Sequence, residues 1–183
     1  MGDISEHERV LLLLAVFSRY DEAIEWTRQR ACESWGPIAL ESERFAFKET
    51  HFYEKSMGTD LHKVLIGFGT MVDPATLPDL KHTTNQWEQE YAAEHAGPEP
   101  RPLNLDPGYV TEAKLILAST KDRDHRIYLS RGIFAENTLF YAGGAWQNRP
   151  WTYPNYKRPD YHQFLERCRQ YYRRWKRERR DAT

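Results

Sequence analysis

Between Asn104 and Tyr141 the chain reads NLDPGYVTEAKLILASTKDRDHRIYLSRGIFAENTLFY. Into an otherwise apolar segment it sets Lys114, Lys121, the pair His125-Arg126 and Glu136. Lysine and arginine hold anions, histidine moves protons near neutral pH, and a carboxylate orients a histidine or accepts a proton. Asp106-Pro107-Gly108-Tyr109 reads as a turn where a strand hands over to a helix. A helix N-terminus exposes N–H groups that favour an anion. In that reading Lys114 stands one turn into the helix and Lys121 just past its end. The plainer reading is that Asp106 only caps the turn and Lys114 is solvated.

His125-Arg126 open the next strand, and Glu136 lies midway along its hairpin partner. Neighbours on a strand point to opposite faces, so both reach one site only if the strand begins after them. Glu136 sits among Ile133, Phe134, Ala135 and Leu139, where a carboxylate is costly unless paired or open to water. A cross-strand pair with His125 or Arg126 is the structural reading. An acid/base role, a metal role and simple exposure are the alternatives.

Other chemistries find little support. The chain has seven histidines, scattered, with no helical i, i+4 pair and no HExxH, so no metal site is expected. It has no GxxxxGK[ST], no GxGxxG and no GxSxG. Ser119-Thr120-Lys121-Asp122 echoes a guanine-recognition element, but Arg123 stands where its aspartate belongs. Cys32 and Cys168 lie on helical faces among apolar neighbours and read as inert packing. A second kind of function comes from eight Lys/Arg between Arg167 and Arg180. Arg169, Arg173, Arg174 and Arg177 on that helix are the candidates for nucleic-acid contact, against a simply solvated face. Trp151-Thr152-Tyr153-Pro154-Asn155-Tyr156 is a rigid aromatic stretch that packs as a strap or, in a third reading, meets a protein partner.

These residues need a frame. Val10–Phe17 is a continuous apolar run, as in a strand buried on both faces. Ser18 starts a helix, with Asp21 as an acidic capping-box partner, and Gly36-Pro37 ends it. Ile38–Phe47 is a second strand with a bulge or an end of pairing near Glu43. His62–Phe68 is a third, with Val64, Ile66 and Phe68 on one face. Leu77, Leu80, Thr84, Trp87 and Tyr91 form a helical stripe. Leu103 and Leu105 mark a fourth short strand. The order β-α-β-β-α-β predicts an antiparallel sheet with two helices on one face, as in ferredoxin-like folds. A further short helix runs from Thr111 to Ser119. Ile127–Leu129 and Ile133–Tyr141 pair as a hairpin around Ser130-Arg131-Gly132. Gly143-Gly144 is another turn, and Tyr161–Arg180 is a closing helix with Phe164, Cys168, Tyr171 and Trp175 inward.

The 183 residues suit one domain spanning 1–183, and 25 aromatic residues argue against disorder. Net charge is −1, so overall charge points to no partner. The longest apolar run is too short to span a bilayer, and it follows a polar leader (GDISEHER) with no signal-peptide character. Two unpaired cysteines fit a reduced cytoplasmic setting.

Several short motifs, taken in order, carry a resemblance. They are Gly36-Pro37-Ile38 with Glu41-Ser42-Glu43, Thr50 with Tyr53-Glu54 and Met57-Gly58, and Asn104-Leu105-Asp106-Pro107-Gly108-Tyr109. Lys114-Leu115, Thr120-Lys121-Asp122, His125-Arg126-Ile127-Tyr128-Leu129, Gly132-Ile133 with Ala135-Glu136, and Trp151-Thr152-Tyr153-Pro154 with Tyr156 follow. The ordered set resembles the prokaryotic family catalogued as domain of unknown function 4416, over nearly the whole chain. The resemblance implies a small stand-alone domain and assigns no activity. Members often read Asp-Tyr-Tyr-Glu where this chain has His51-Phe52-Tyr53-Glu54.

The expectation is an α+β protein with a ferredoxin-like core, an added C-terminal hairpin and a basic closing helix. One pocket for a small, phosphate-bearing anion is expected, lined by Glu54, Asp106, Tyr109, Lys114, Lys121, His125, Arg126 and Glu136. Lys121 and Arg126 would hold the anion, His125 would transfer protons if a reaction occurs, and Glu136 would orient it. Tyr53-Glu54 and Asp106–Tyr109 should then lie near His125.

Overall fold

Strand β1 (Val10–Ser18) is buried along its whole length. In the computed structural model, which describes residues 2, 3 and 7–182, the chain continues through α1 (Asp21–Trp35), β2 (Ile38–Glu41), β3 (Phe45–Ala46) and α2 (Glu54–Met57). It goes on through β4 (His62–Val72), α3 (Leu77–Glu94), β5 (Leu103–Val110), β6 (Lys114–Ser119) and β7 (Arg126–Ser130). The last elements are β8 (Ile133–Ala142), β9 (Ala145–Asn148) and α4 (Pro159–Asp181). Residues 4–6 of the polar leader lie outside the described residues.

β1 pairs antiparallel with β4 on one side and β5 on the other. Its Leu12, Leu14 and Val16 pack under α1 and α3, against Ala23, Ile24, Leu80 and Trp87. Its Leu11, Leu13 and Ala15 pack under α4, against Tyr161, Phe164, Leu165 and Cys168. Both faces are covered, so alternation has no place in this strand, and each buried leucine contributes about 1.5–3 kcal/mol. The sheet runs β2-β4-β1-β5-β6-β8-β7, with β3 added to β4 and β9 to β8. The fold is therefore α+β around one large, open antiparallel sheet, with helices on both faces. Among the described residues no helix is long and apolar enough to cross a membrane.

The hairpin forms as expected, with Arg131 and Gly132 at positive φ in its turn. Pairing lapses between Glu41 and Phe45, around the expected Glu43 break. Gly36 ends α1 at φ 94°, a conformation that glycine adopts without strain.

Three local readings are corrected. Ser18 closes β1, and its hydroxyl accepts from the Tyr20 amide (3.0 Å) and donates to the Pro102 carbonyl (2.7 Å), while α1 begins at Asp21. The helix expected from Thr111 to Ser119 is strand β6. Leu115 and Leu117 join the core under α4, and Ile116 and Ala118 join the cluster on the other face. A short apolar run buried on both faces has no periodicity that separates helix from strand. The Thr111 hydroxyl accepts from the Ala113 and Lys114 amides (3.2 Å each), which makes a turn rather than a helix cap.

Asp106-Pro107-Gly108-Tyr109 is the third correction: it lies within β5 and is neither a turn nor a helix start. Pro107 is tolerated because β6 pairs only with Gly108–Val110, so the strand side facing away from β1 needs no donor there. Gly108 is required because a Cβ would sit 2.2 Å from the Ile116 carbonyl oxygen.

Candidate functional site

Because β6 meets β5 only at Gly108–Val110, the two strands part from Pro107 back to Leu103. The register fixes which side chains face the gap. Phe17 lies opposite both Lys63 and Asn104, and Ala15 lies opposite Asp106. Gly108 lies opposite Leu117, Leu117 opposite Glu136, and Glu136 opposite Arg126. Directly opposed residues share a face. Lys63, Asp106, Arg126 and Glu136 therefore stand on the α4 side of the sheet. A strap after β9 crosses this face. It is anchored by the Trp151 indole donating to the Asn137 carbonyl (3.0 Å) and the Thr152 hydroxyl to the Thr138 carbonyl (2.5 Å).

Glu136 is 2% exposed and heads one cluster. Arg126 donates through Nε to Glu136 Oε2 (2.9 Å), through Nη1 to Ser119 Oγ (2.7 Å) and the Lys121 carbonyl (2.8 Å), and through Nη2 to the Tyr153 hydroxyl (2.8 Å). Nη2 also lies 2.8 Å from Glu136 Oε2. A guanidinium has five N–H groups, and protein acceptors take four of them in hydrogen bonds here. His125 Nε2 lies 3.2 Å from Glu136 Oε2 and Nδ1 lies 3.0 Å from Asp124. The imidazole stacks on Trp151 with centroids 5.0 Å apart. β7 begins at Arg126, so His125 escapes strand alternation and both residues reach one carboxylate.

Asp106 heads the second cluster. Its carboxylate accepts from Lys81 Nζ (3.0 Å) and Asn104 Nδ2 (2.8 Å). Burial pushes this carboxyl up, but Lys81 and Lys63, with those hydrogen bonds, outweigh it and hold it below the ordinary aspartate range. Its side chain nevertheless keeps 34% of its surface open. Lys81 also donates to the Leu105 carbonyl (2.7 Å), and Glu88 accepts from the Leu105 amide (2.7 Å). Burial raises the Glu88 carboxyl despite Lys81.

Between the clusters lie two polar groups without partners. Lys63 is 8% exposed, and its ammonium stands over the rings of Phe17, Phe47 and Tyr156 at 5.1, 5.4 and 5.3 Å. It makes no hydrogen bond among the described residues. Burial pushes it below the ordinary lysine value, partly offset by the carboxylates of Asp106 and Glu49. Tyr156 is 2% exposed and its hydroxyl has no hydrogen-bond partner among the described residues. Burial raises this phenol far above an ordinary tyrosine; Tyr161, Asp106 and Glu136 add to the rise, so both cluster carboxylates flank it. Burial raises the Tyr53 phenol, and Asp106 adds to the rise; its ring packs edge-on against Phe17, 5.3 Å between centroids.

The structure thus brings Asp106, Arg126, His125 and Glu136 to one face, with Lys121 at its margin, its ammonium 5.8 Å from the Phe52 ring. It separates others. Tyr109 faces the opposite side of the sheet, against Ile116 and Leu77. Lys114 opens β6, the far end from Ser119, roughly 17 Å away at strand rise. Glu54 turns to His51 (2.5 Å), while its neighbour Tyr53 takes the place near Asp106. The sequence reading passed over Lys63, Lys81 and Tyr156. The signal for Lys63 was available: Lys63–Phe68 is apolar in both phases after its first residue, so a strand there buries both faces and takes the lysine with it.

On α4, Arg169 is packed rather than displayed. Its guanidinium lies 3.5 Å from the Tyr141 centroid and donates to the Glu112 carbonyl (2.7 Å). Arg173, Arg174 and Arg177 are exposed. A cleft of about 550 Å³ lies beside the helix end, lined by Arg9, Asp73, Trp175, Lys176 and Arg180 among others. Among the aromatic residues of β9 and the strap, Trp146 and Tyr156 are buried and Tyr153 is well exposed.

The model of a family described as a domain of unknown function (DUF4416) matches residues 8–172, and the chain belongs to that family. No curated protein and no solved structure matches the chain.

Proposed function

We propose that this DUF4416 protein holds a small anionic ligand beside Asp106, where β5 and β6 part. One observation carries the reading: the buried Tyr156 hydroxyl has no hydrogen-bond partner among the described residues, and the Lys63 ammonium lies over the same ring, 5.3 Å from its centroid. A buried ammonium or hydroxyl without an acceptor loses its hydration with no return, so a group that supplies an acceptor binds there favourably. Lys63, Tyr156 and Tyr53 are the donors, and Lys121 adds charge at the margin. Arg126 serves by fixing Glu136, Ser119 and Tyr153, to which it gives most of its donors. Asp106 accepts from hydroxyl groups, so a sugar phosphate, with an anionic end and a hydroxylated body, fits better than a bare anion. His125 is the proton carrier if a reaction follows.

The test is a thermal-shift screen at low salt with nucleotides and sugar phosphates. A ligand at a hundred times its Kd adds about 2.7 kcal/mol, or roughly 5–10 °C for a chain of this size. A shift that disappears in Lys63→Met supports the reading. The absence of a shift with every anion, or a shift that Lys63→Met leaves intact, defeats it.

A second reading places RNA or DNA on the exposed Arg173, Arg174 and Arg177, next to the cationic cleft at Trp175. Binding that weakens steeply with salt and falls in Arg173→Ala/Arg177→Ala supports it; binding unchanged in that variant defeats it. We further read β2-β4-β1-β5 with α1 and α3 as a ferredoxin-like unit, supported by its β-α-β-β-α-β succession, with β6–β9 as an extension. The same reading takes 1–183 as one cytoplasmic domain, supported by the continuous sheet and the unpaired Cys32 and Cys168.

A further inference from the structure

Five large apolar side chains are exposed among the described residues, and all gather at one end of the sheet. Ile127 (72%), Tyr128 (59%) and Leu129 (39%) are consecutive on β7. Tyr153 accepts from Arg126 of the same strand, and Phe52 stands beside Lys121, just before it. β7 is the last strand in the sheet order, with β8 as its sole partner, so its outer ladder is unpaired. A strand edge facing water is ordinarily blunted by lysine, proline or an inward charge. Ile127–Leu129 carries none of these, although β7 opens on the inward charge of Arg126 and shifts register between Tyr128 and Ser130. β9 flanks β8 further along and provides a contrast: Trp146 turns inward, and Gln147 and Asn148 face solvent. The apolar character belongs to β7 alone.

We infer that β7 pairs antiparallel with β7 of a second copy, about a twofold axis at Tyr128. The strand is self-complementary in that register. Ile127 meets Leu129 of the second copy, and Tyr128 meets its own counterpart, as an isologous contact requires. The charges agree as well. Asp124, with its side chain 98% exposed and paired to His125, comes beside Arg131 of the second copy, which is 58% exposed and already paired to its own Asp79. The five exposed side chains offer roughly 600 Å² per protomer, somewhat below the roughly 800 Å² per partner of a standard interface. Backbone pairing adds to it, and the expected Kd is on the order of 1–100 μM.

Sedimentation velocity on the full chain from about 1 to 300 μM reads this directly. The wild type should shift from monomer to dimer across that range, and Ile127→Lys should remain monomeric with an unchanged circular-dichroism melt. Asp124→Arg should weaken the dimer at least about fivefold, and Asp124→Arg/Arg131→Asp should restore it. A wild type that stays monomeric at 300 μM, or an Ile127→Lys variant that dimerises as well as wild type, overturns the inference. A charge swap that restores nothing overturns the twofold register.

Discussion

Replacing Lys63 by methionine should make the ligand-free protein more stable. Lys63 is 8% exposed, and its ammonium stands over three rings with the carboxylates of Asp106 and Glu49 acting on it from further off. Exchanging buried charge for an apolar side chain of similar volume commonly gains about 1–4 kcal/mol. The exchange forfeits three ring contacts at 5.1–5.4 Å, each about 0.5–1 kcal/mol, and recovers about 0.3–1.5 kcal/mol per sulfur–aromatic contact. Asp106 keeps Lys81 at 3.0 Å, so it is not stranded. The net expectation is a gain of about 1–3 kcal/mol, or a Tm higher by roughly 3–8 °C. The pH dependence has a definite sign. Burial lowers the Lys63 pKa in the folded state. Between that value and the unfolded value of about 10.4, the unfolded chain binds the extra proton, so wild-type stability from this group rises with pH. The penalty is full below the folded pKa. The advantage of Lys63→Met should therefore be largest at neutral and lower pH and shrink towards pH 10. Scanning calorimetry at pH 6, 8 and 9.5 measures it. A Tm several degrees lower in the variant would refute the reasoning, because it would make Lys63 a stabilising counter-ion of Asp106.

The remaining expectations concern the frame. Gly108→Ala forces a Cβ against the Ile116 carbonyl and should cost about 3 kcal/mol in urea unfolding or prevent folding, whereas a neutral result would show that β5 and β6 can separate there. Glu136→Leu leaves Arg126, 4% exposed, without its carboxylate and should cost about 3–5 kcal/mol, while Glu136→Leu/Arg126→Met should recover most of it; a double variant as unstable as the single removes the pair from the account. Arg169→Ala should cost about 1–2 kcal/mol through lost packing on Tyr141, and Arg173→Ala less than about 0.5 kcal/mol; equal losses would contradict the packed and exposed assignments.

Features encoded in local pattern were legible in the sequence. The unbroken apolar run of β1, the Leu77–Tyr91 stripe, the Gly36 stop and the Arg131-Gly132 turn each have one dominant physical cause that acts within a few residues. What escaped depends on distant neighbours. Asp106-Pro107-Gly108 has the composition of a turn, yet it is held straight by pairing with Leu13, Leu14 and Ala15 of β1. β6 was read as a helix because burial on both faces erased its period. At the candidate site, the Arg126–Glu136 pairing followed from the cost of a carboxylate among apolar residues. Tyr109 and Lys114 were misplaced because their positions hung on the turn and helix that do not form. Lys63 belongs to the strand phase opposite Val64, Ile66 and Phe68, and its burial depends on α4 and the strap covering that face.

β1 also sets an order of events during synthesis. The strand at the centre of the sheet is made before either neighbour, and its register needs β4 through Val72 and β5 through Val110. At about 5–20 residues per second, the ribosome takes roughly 5–20 s to deliver the last of these. For that interval Val10–Phe17 is an uncharged, strand-prone segment with at least one native edge unpaired. Such a segment is a template for association between nascent chains and a natural target for a chaperone that binds extended apolar peptide. The continuity that makes β1 the spine of the finished sheet is thus also the principal hazard of its assembly.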